Sequence, residues 1–187
     1  INNKEILNIE DYLEEPNSRI AIGCCITSNN EQHTKNNIAI HGKIYSHKNS
    51  ELINKIINSI NSDKLKELGY ILKEIDSDYN IIAINNKELI VARDPLGTKP
   101  LYIGKSNKIT AVATEKKALE VIGIEIIQEI YPGSIYRIKH NSIKYNKFRE
   151  INNSIISKTD KHTSKIIDIL NESIKKRVNG MKKIGVG

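Results

Sequence analysis

Tryptophan is absent from this chain and phenylalanine occurs once, so beyond eight tyrosines there is little aromatic surface on which nucleic-acid bases could stack. Cysteine is as scarce. The two present are adjacent, Cys24-Cys25, and neighbours on a strand point to opposite faces, a poor arrangement for an ordinary disulfide or for chelating one metal. They read as two small buried residues of a reducing compartment. No apolar run approaches the roughly 18 residues of a membrane span. The start, Ile1 to Glu15, is polar and acidic and has no signal-peptide character. These absences turn the reading away from disulfide scaffolds and membrane proteins and predict a cytoplasmic protein that binds neither nucleic acid nor membrane.

What the chain does have is lysine and isoleucine. The net charge is +7 and the isoelectric point about 9.2, but the excess is dispersed, with local density only at Lys116-Lys117, Lys175 to Arg177 and Lys182-Lys183. Dispersed lysine reads as a solvated surface, not as a basic stripe. A hydrophobic fraction of 39% over 187 residues supports one packed domain, with room for an appended element. The chain begins without methionine and stops just after the apolar run Ile184 to Val186, so both ends read as cut from a longer protein.

Periodicity divides the chain. Arg19 to Ile26 is apolar almost throughout, as in a strand buried on both faces; Thr27 to Asn37 reads as a loop, and Asn37 to Ile40 opens a strand that ends at His41-Gly42. A helix follows, capped by Ser50, with Leu52, Ile53, Ile56, Ile57 and Ile60 on one face, and a second starts at Ser62 with Leu65, Leu68, Leu72 and Ile75 inward. From Asp76 the period becomes extended. Tyr79 to Ile84 and Glu88 to Ala92 form a hairpin around Asn85-Asn86-Lys87, and Leu101 to Ile103 with Ile109 to Val112 form another. Thr114-Glu115 caps a short helix, Ile124 to Ile130 is extended, and turns at Tyr131 to Ser134 and His140-Asn141 separate two last strands. Hairpins interspersed with two early helices predict an α+β domain of layered antiparallel sheets covered by helices. Residues 1–150 make that domain, 151–162 a polar linker, and 163–187 a helix and the first strand of something further.

The stretch that organises the rest is Arg93-Asp94-Pro95-Leu96-Gly97-Thr98-Lys99-Pro100-Leu101-Tyr102. Pro95 fixes its own φ and pushes Asp94 out of the helical region, Gly97 can take positive φ, and Pro100 bars a helix. Arg93 and Asp94 thus end an apolar strand as a charged pair, able to bond each other or backbone groups. Two roles fit them, a structural turn held by an ion pair or catalysis, and buried pairs are more often architecture.

Arg93 to Tyr102 resembles the R-D-P-x-G-x-x-P-L-Y block of the N-terminal glutaminase-type domain of asparagine synthetases, within the class II glutamine amidotransferases. Three further blocks fall in the same order. Gly42 to His47 resembles N-G-E-I-Y-N-H, Thr114 to Leu119 resembles S-E-x-K-A-L, and Tyr131-Pro132-Gly133 is similar to the P-P-G turn. The resemblance implies an Ntn-like α+β fold. After the final helix and Lys182 to Gly187 it implies an α/β synthetase domain of the PP-loop type, which would use ATP and Mg, an aspartate-like acceptor and glutamine or ammonia. No cofactor is expected within the present residues, and the domain's partner would be its own synthetase domain.

In that family an N-terminal cysteine attacks the glutamine amide with its own α-amine as base, an N-G pair forms the oxyanion hole, an arginine binds the substrate carboxylate and an aspartate its ammonium. Carried over residue by residue, the site is altered. Ile1 stands at the terminus; Cys24 and Cys25 lie mid-strand without an α-amine. Ile26 falls where the arginine belongs, His41 replaces the oxyanion asparagine and leaves the Gly42 amide as donor, and Ser50 falls at the aspartate. Loss of one oxyanion donor costs on the order of a hundred- to a thousandfold in rate. The resemblance therefore implies a retained glutaminase fold with a degenerate pocket at Ile26, His41, Gly42 and Ser50, a structural motif at Arg93, Asp94 and Gly97, no catalytic residue and no metal site. Two alternatives stand beside it: an active glutamine-hydrolysing enzyme whose cysteine precedes Ile1, and a non-catalytic interaction module.

Overall fold

The structure is a computed structural model; it describes residues 20, 22, 32–35, 37–45, 49–139, 142–151, 161–179 and 185. The chain divides into two compact units, Ile1–Ile151 and Asn152–Gly187. The first contains strands β1 (Gln32–Lys35), β2 (Ile38–Ile44), β3 (Ser77–Asn85), β4 (Glu88–Arg93), β5 (Tyr102–Lys105), β6 (Thr110–Ala113), β7 (Ile126–Glu129), β8 (Ser134–Lys139) and β9 (Ser142–Lys147), with helices α1 (Asn49–Asn61), α2 (Leu65–Glu74) and α3 (Lys116–Val121). All strand pairings among the described residues are antiparallel. Six strands form one sheet in the order β1-β2-β3-β4-β8-β9, and three form another in the order β6-β5-β7.

Alternation in the large sheet sends two sets of side chains to opposite faces. Ile40, Ile81, Ala92 and Ile135 lie opposite one another across four strands and pack beneath Ile53, Ile56 and Ile60 of α1 and Leu68 and Leu72 of α2. The opposite face supplies Val91, Tyr136 and Ile138, which pack with Leu101, Ile103 and Ile130 of the small sheet and its connections. Helices, large sheet and small sheet thus form three layers with an apolar core on each face of the middle one, the layered α+β arrangement that the sequence predicts.

Several boundaries differ from expectation for local reasons. Residues 32–35 are a strand, not a loop; an edge strand needs only backbone pairing on one side, so apolar alternation gives no signal for it. The α1 helix begins at Asn49, which puts Ser50 inside its first turn instead of at the cap. The helix ends at Asn61 and its closure takes up Ser62 to Lys64: Asp63 takes φ of 58° while the Asp63 and Lys64 amides donate to the Ile60 and Ser59 carbonyls, a Schellman closure that delays α2 to Leu65. Glu115 occupies the N-cap of α3 without a side-chain capping hydrogen bond. The apolar strand at 19–26, with Cys24, Cys25 and Ile26, and the strand expected at 182–186 lie outside the described residues apart from 20, 22 and 185.

The second unit contains α4 (Lys161–Val178). Its positions Ile166, Ile167, Ile169, Leu170 and Ile174 are exposed, and Arg177 bonds the Ser173 carbonyl and hydroxyl one turn back. Among the described residues no helix is long and apolar enough to cross a membrane.

The β3–β4 hairpin turns on Asn86 and Lys87, with φ of 48° and 64°, between the opposed pair Asn85 and Glu88. Positive φ at both central residues is the type I′ signature, which favours glycine at the second position. We expect Lys87→Gly to stabilise the domain by about 0.5–1 kcal/mol, measured as an upward shift of the urea midpoint at unchanged slope.

Candidate functional site

Arg93 closes β4 on the face toward the small sheet, and only 3% of it is exposed. Its Nε donates to the Lys99 carbonyl at 2.9 Å and Nη2 to the Gly97 carbonyl at 2.9 Å. Nη1 donates to the Ile130 carbonyl and to Glu129 Oε1, each at 2.7 Å. Asp94, 1% exposed, turns the other way. Its Oδ1 accepts from the Leu96 amide at 2.9 Å, and its Oδ2 from the Thr98 amide at 3.1 Å and hydroxyl at 2.9 Å. The two charges do not pair with each other, contrary to the ion-pair turn expected. Each is spent on backbone dipoles, and the carboxylate that meets Arg93 is Glu129 on β7, itself more than half exposed. Arg93 thus makes four hydrogen bonds and Asp94 accepts from two amides and a hydroxyl, bonds that hold the turn together.

Gly97 makes the turn possible. Its φ is 63°, and a Cβ there would sit 2.8 Å from Pro132 Cγ and 3.2 Å from the Arg93 guanidinium. Asp94 also ties the two ends of the small-sheet excursion together, its carbonyl accepting from the Gly97 amide at 3.1 Å and the Gly133 amide at 3.0 Å.

The same sheet face carries a polar row. Register places His41 opposite Asn80, Asn80 opposite Arg93, Arg93 opposite Ser134 and Ser134 opposite Lys147. Opposed residues project from the same face, so the row crosses five strands beside the apolar set of Val91, Tyr136 and Ile138. Satisfaction falls along it. Arg93 has four partners, Ser134 donates to the Tyr131 carbonyl, and Asn80, 1% exposed, donates through Nδ2 to the Pro100 carbonyl at 2.9 Å but has no partner for Oδ1. His41 Nδ1 is buried without a partner. Burial, and after it the nearby Lys99 ammonium, hold the His41 imidazole below its ordinary 6.5, so at neutral pH it is uncharged. Beside it Gly42, at φ of 144°, lets β3 approach so closely that a Cβ would overlap the Asp78 carbonyl oxygen.

The expected pocket residues are thus only partly assembled. His41 and Gly42 sit together on β2; Ser50 is exposed in α1 and shares no hydrogen bond with His41 or Asn80; Ile26 lies outside the described residues. Sequence reasoning missed Asn80, Lys99 and Glu129. Asn80 had a signal, a lone amide inside the otherwise apolar run Tyr79 to Ile84, whereas Glu129 becomes a partner of Arg93 only through the fold. Among the described residues no group of three or more His, Cys, Asp or Glu side chains could hold a metal ion.

This geometry has relatives. The family model described as a glutamine amidotransferase domain matches residues 13–121, more than half the chain. The chain belongs to this glutamine amidotransferase family. Similar proteins include the amidophosphoribosyltransferase of Methanocaldococcus jannaschii, 35% identical over 82 residues, which cover 44% of this chain and 17% of that protein. Another is the amidophosphoribosyltransferase of Staphylococcus aureus strain Mu50, 26% identical over 160 residues, 83% of this chain and 32% of that one. The chain therefore spans less than a third of the length of these relatives. Among solved structures, the glutamine phosphoribosylpyrophosphate amidotransferase of Bacillus subtilis, complexed with ADP and GMP, superposes with a TM-score of 0.50 at 23% identity, covering 67% of this chain and 32% of that one. That likeness gives the amidotransferase domain its Ntn-type α+β fold. The resemblance to class II amidotransferases holds at family level, and the relatives named above are amidophosphoribosyltransferases.

Two outcomes check the roles assigned in this amidotransferase domain. Asp94→Ala strands two amides and a hydroxyl, and Gly97→Val forces a side chain into Pro132; each should lower stability by about 3 kcal/mol, and unchanged denaturation midpoints would contradict the architectural role. The lowered His41 value means that the folded state resists protonation, so His41 stabilises fully above about 6.5 and that contribution is lost as pH falls through the unfolded and then the folded value. Denaturation midpoints measured from pH 7.5 to 5 should fall, and His41→Asn should flatten that slope.

Proposed function

We propose that this domain keeps the amidotransferase framework without hydrolysing glutamine. The observation that carries the reading is His41. It stands on β2 directly before Gly42, where the family pattern has the oxyanion asparagine, and it presents an uncharged ring in place of an amide donor. Ser50 at the ammonium-binding aspartate and Ile26 at the carboxylate-binding arginine point the same way, since each substitution removes a charge-assisted contact of roughly 1.5–3 kcal/mol. The fastening around Arg93 and Asp94, by contrast, is complete.

The domain's remaining role is then scaffolding within a nitrogen-transfer enzyme, packed on the domain that uses the nitrogen. The four blocks and the basic helix α4 ahead of Lys182 to Gly187 support an asparagine-synthetase-type amide ligase, cytoplasmic, in which a following α/β domain binds ATP and Mg and joins an aspartate-like acceptor with ammonia. ATP and Mg are assigned to that domain and to no residue of this sequence. A second parent is favoured by the names of the relatives, an amidophosphoribosyltransferase acting on a phosphorylated ribose.

Ammonia release from L-glutamine by the full-length protein tests the central claim: none above background is expected, and turnover at a rate ordinary for an amidotransferase would refute it. Supplying ammonia with either aspartate and Mg-ATP or 5-phosphoribosyl diphosphate separates the parents, with product expected from the first pair.

A further inference from the structure

One end of the small sheet is apolar and uncovered. Register sets Lys105, the last residue of β5, opposite Thr110 of β6 on one side and Ile126 of β7 on the other, so the β5–β6 turn and the start of β7 share that end. The last turn of α3 leads there too, through the short connection from Ile122 to Glu125. Four aliphatic side chains are exposed at this end: Ile109 after the turn, Val121 and Ile122 at the close of α3, and Ile126 at the opening of β7. Val121 is 79% exposed and Ile126 70%, and a Cβ on Gly123 would meet nothing within 4 Å. A single exposed aliphatic is ordinary, whereas four at one end of a layer mark a surface for another molecule.

Both segments are held in shape from within. The Gly123 and Ile124 amides donate to the Glu120 and Leu119 carbonyls at 3.0 and 3.1 Å, with Gly123 at φ of 79°, a Schellman closure pinned by the buried Leu119 and Ile124. In the turn the Ser106 amide donates to the Ile109 carbonyl at 2.8 Å, and the Ile109 amide to the Ser106 hydroxyl at 3.2 Å. Association therefore has little main chain to order. Charge decides the partner. The turn is basic, with Lys105 and Lys108 and no acid, while the connection is acidic, with Glu120 and Glu125 and no base. Glu120 also reaches Lys116 at 3.4 Å, an exposed pair that is easily exchanged. The patch thus sums to zero on a chain of net charge +7, and its two halves have opposite sign. A surface so divided is complementary to itself, because a two-fold axis turns the basic half of one copy onto the acidic half of the other, and does so twice. A partner of uniform charge would be repelled by one half.

We propose that this end of the small sheet is a self-association surface, on which two copies of the chain meet about a two-fold axis. The exposed aliphatics close the centre, and each basic turn faces the acidic connection of the other copy. Four aliphatics and four charges make a patch smaller than the roughly 800 Å² per partner of a standard interface, so the dimer is weak and reversible. The inference is independent of whether glutamine is hydrolysed.

Sedimentation equilibrium of the full chain tests it. Reversible dimerisation with a Kd on the order of 0.1 mM is expected. Val121→Glu, a change at an exposed helix position, should weaken it at least about tenfold while leaving the denaturation midpoint in place. Reversing the turn (Lys105→Glu with Lys108→Glu) or the connection (Glu120→Lys with Glu125→Lys) should leave each variant monomeric. An equimolar mixture of the two should dimerise again, since only the mixed pair matches both halves. A wild-type chain that stays monomeric at about 1 mM overturns the inference, whether or not a different protein binds the patch. A dimer unmoved by Val121→Glu or by the reversals has its contact elsewhere, on the exposed isoleucines of α4 for instance, and overturns it equally, as does a mixture no better associated than its components.

Discussion

One guanidinium joins the two sheets of this domain. Arg93 ends the central strand β4 and reaches carbonyls on both limbs of the small-sheet excursion, Gly97 and Lys99 as it leaves and Ile130 as it returns. A planar fork with several fixed donors suits this task better than an ammonium, which would have to choose among acceptors set in different directions. The charge is balanced mainly by oriented backbone dipoles. Glu129 adds an ion pair, but its exposure leaves that contribution to solvent screening, worth little beside the buried carbonyl bonds. Asp94 performs the complementary task on amides, so adjacent residues of opposite charge organise acceptors and donors of one loop separately.

This division bears on which positions of the domain are free to vary. The fastening is a closed set of bonds in which each member needs the others, and loss of one strands several buried groups. His41 and Ser50 have no such mutual dependence, so either can vary while the sheet register around His41 persists. Close approach of β2 and β3 still demands glycine at 42. The backbone around residues 41 and 42 is therefore fixed by that approach, whatever side chain stands at 41.

Much of the fold was legible because its cores are written in strong periodicities. The isoleucine stripe of α1, the alternation through β3 and β4 and the proline-glycine punctuation of the Arg93 turn all led to the right elements. What was not legible was set by tertiary pairing. The polar strand β1 exists through hydrogen bonds to β2, the Schellman end at Asp63 moved the start of α2, and the partner of Arg93 lies 36 residues away on β7. Of the candidate site, His41 and Gly42 could be named from the family pattern, but Asn80 entered only when register set it between His41 and Arg93. A row across a sheet has no one-dimensional signature, because its members are spaced by loop lengths and not by any period.

The bond between the Gly133 amide and the Asp94 carbonyl has a kinetic meaning as well as a static one. It closes the neck of an excursion that contains the whole small sheet and α3, inserted between two strands, β4 and β8, that are neighbours in the large sheet. The hairpin β3–β4 can form from local contacts, whereas β8 can dock only after a loop of nearly forty residues has been brought back, at an entropic cost that grows slowly with loop length. Once the neck is shut, the small sheet cannot detach without opening the edge on which β8 and β9 depend. The two layers then share one cooperative unit, and the Asp94 carbonyl that shuts its neck follows directly on Arg93 of the polar row.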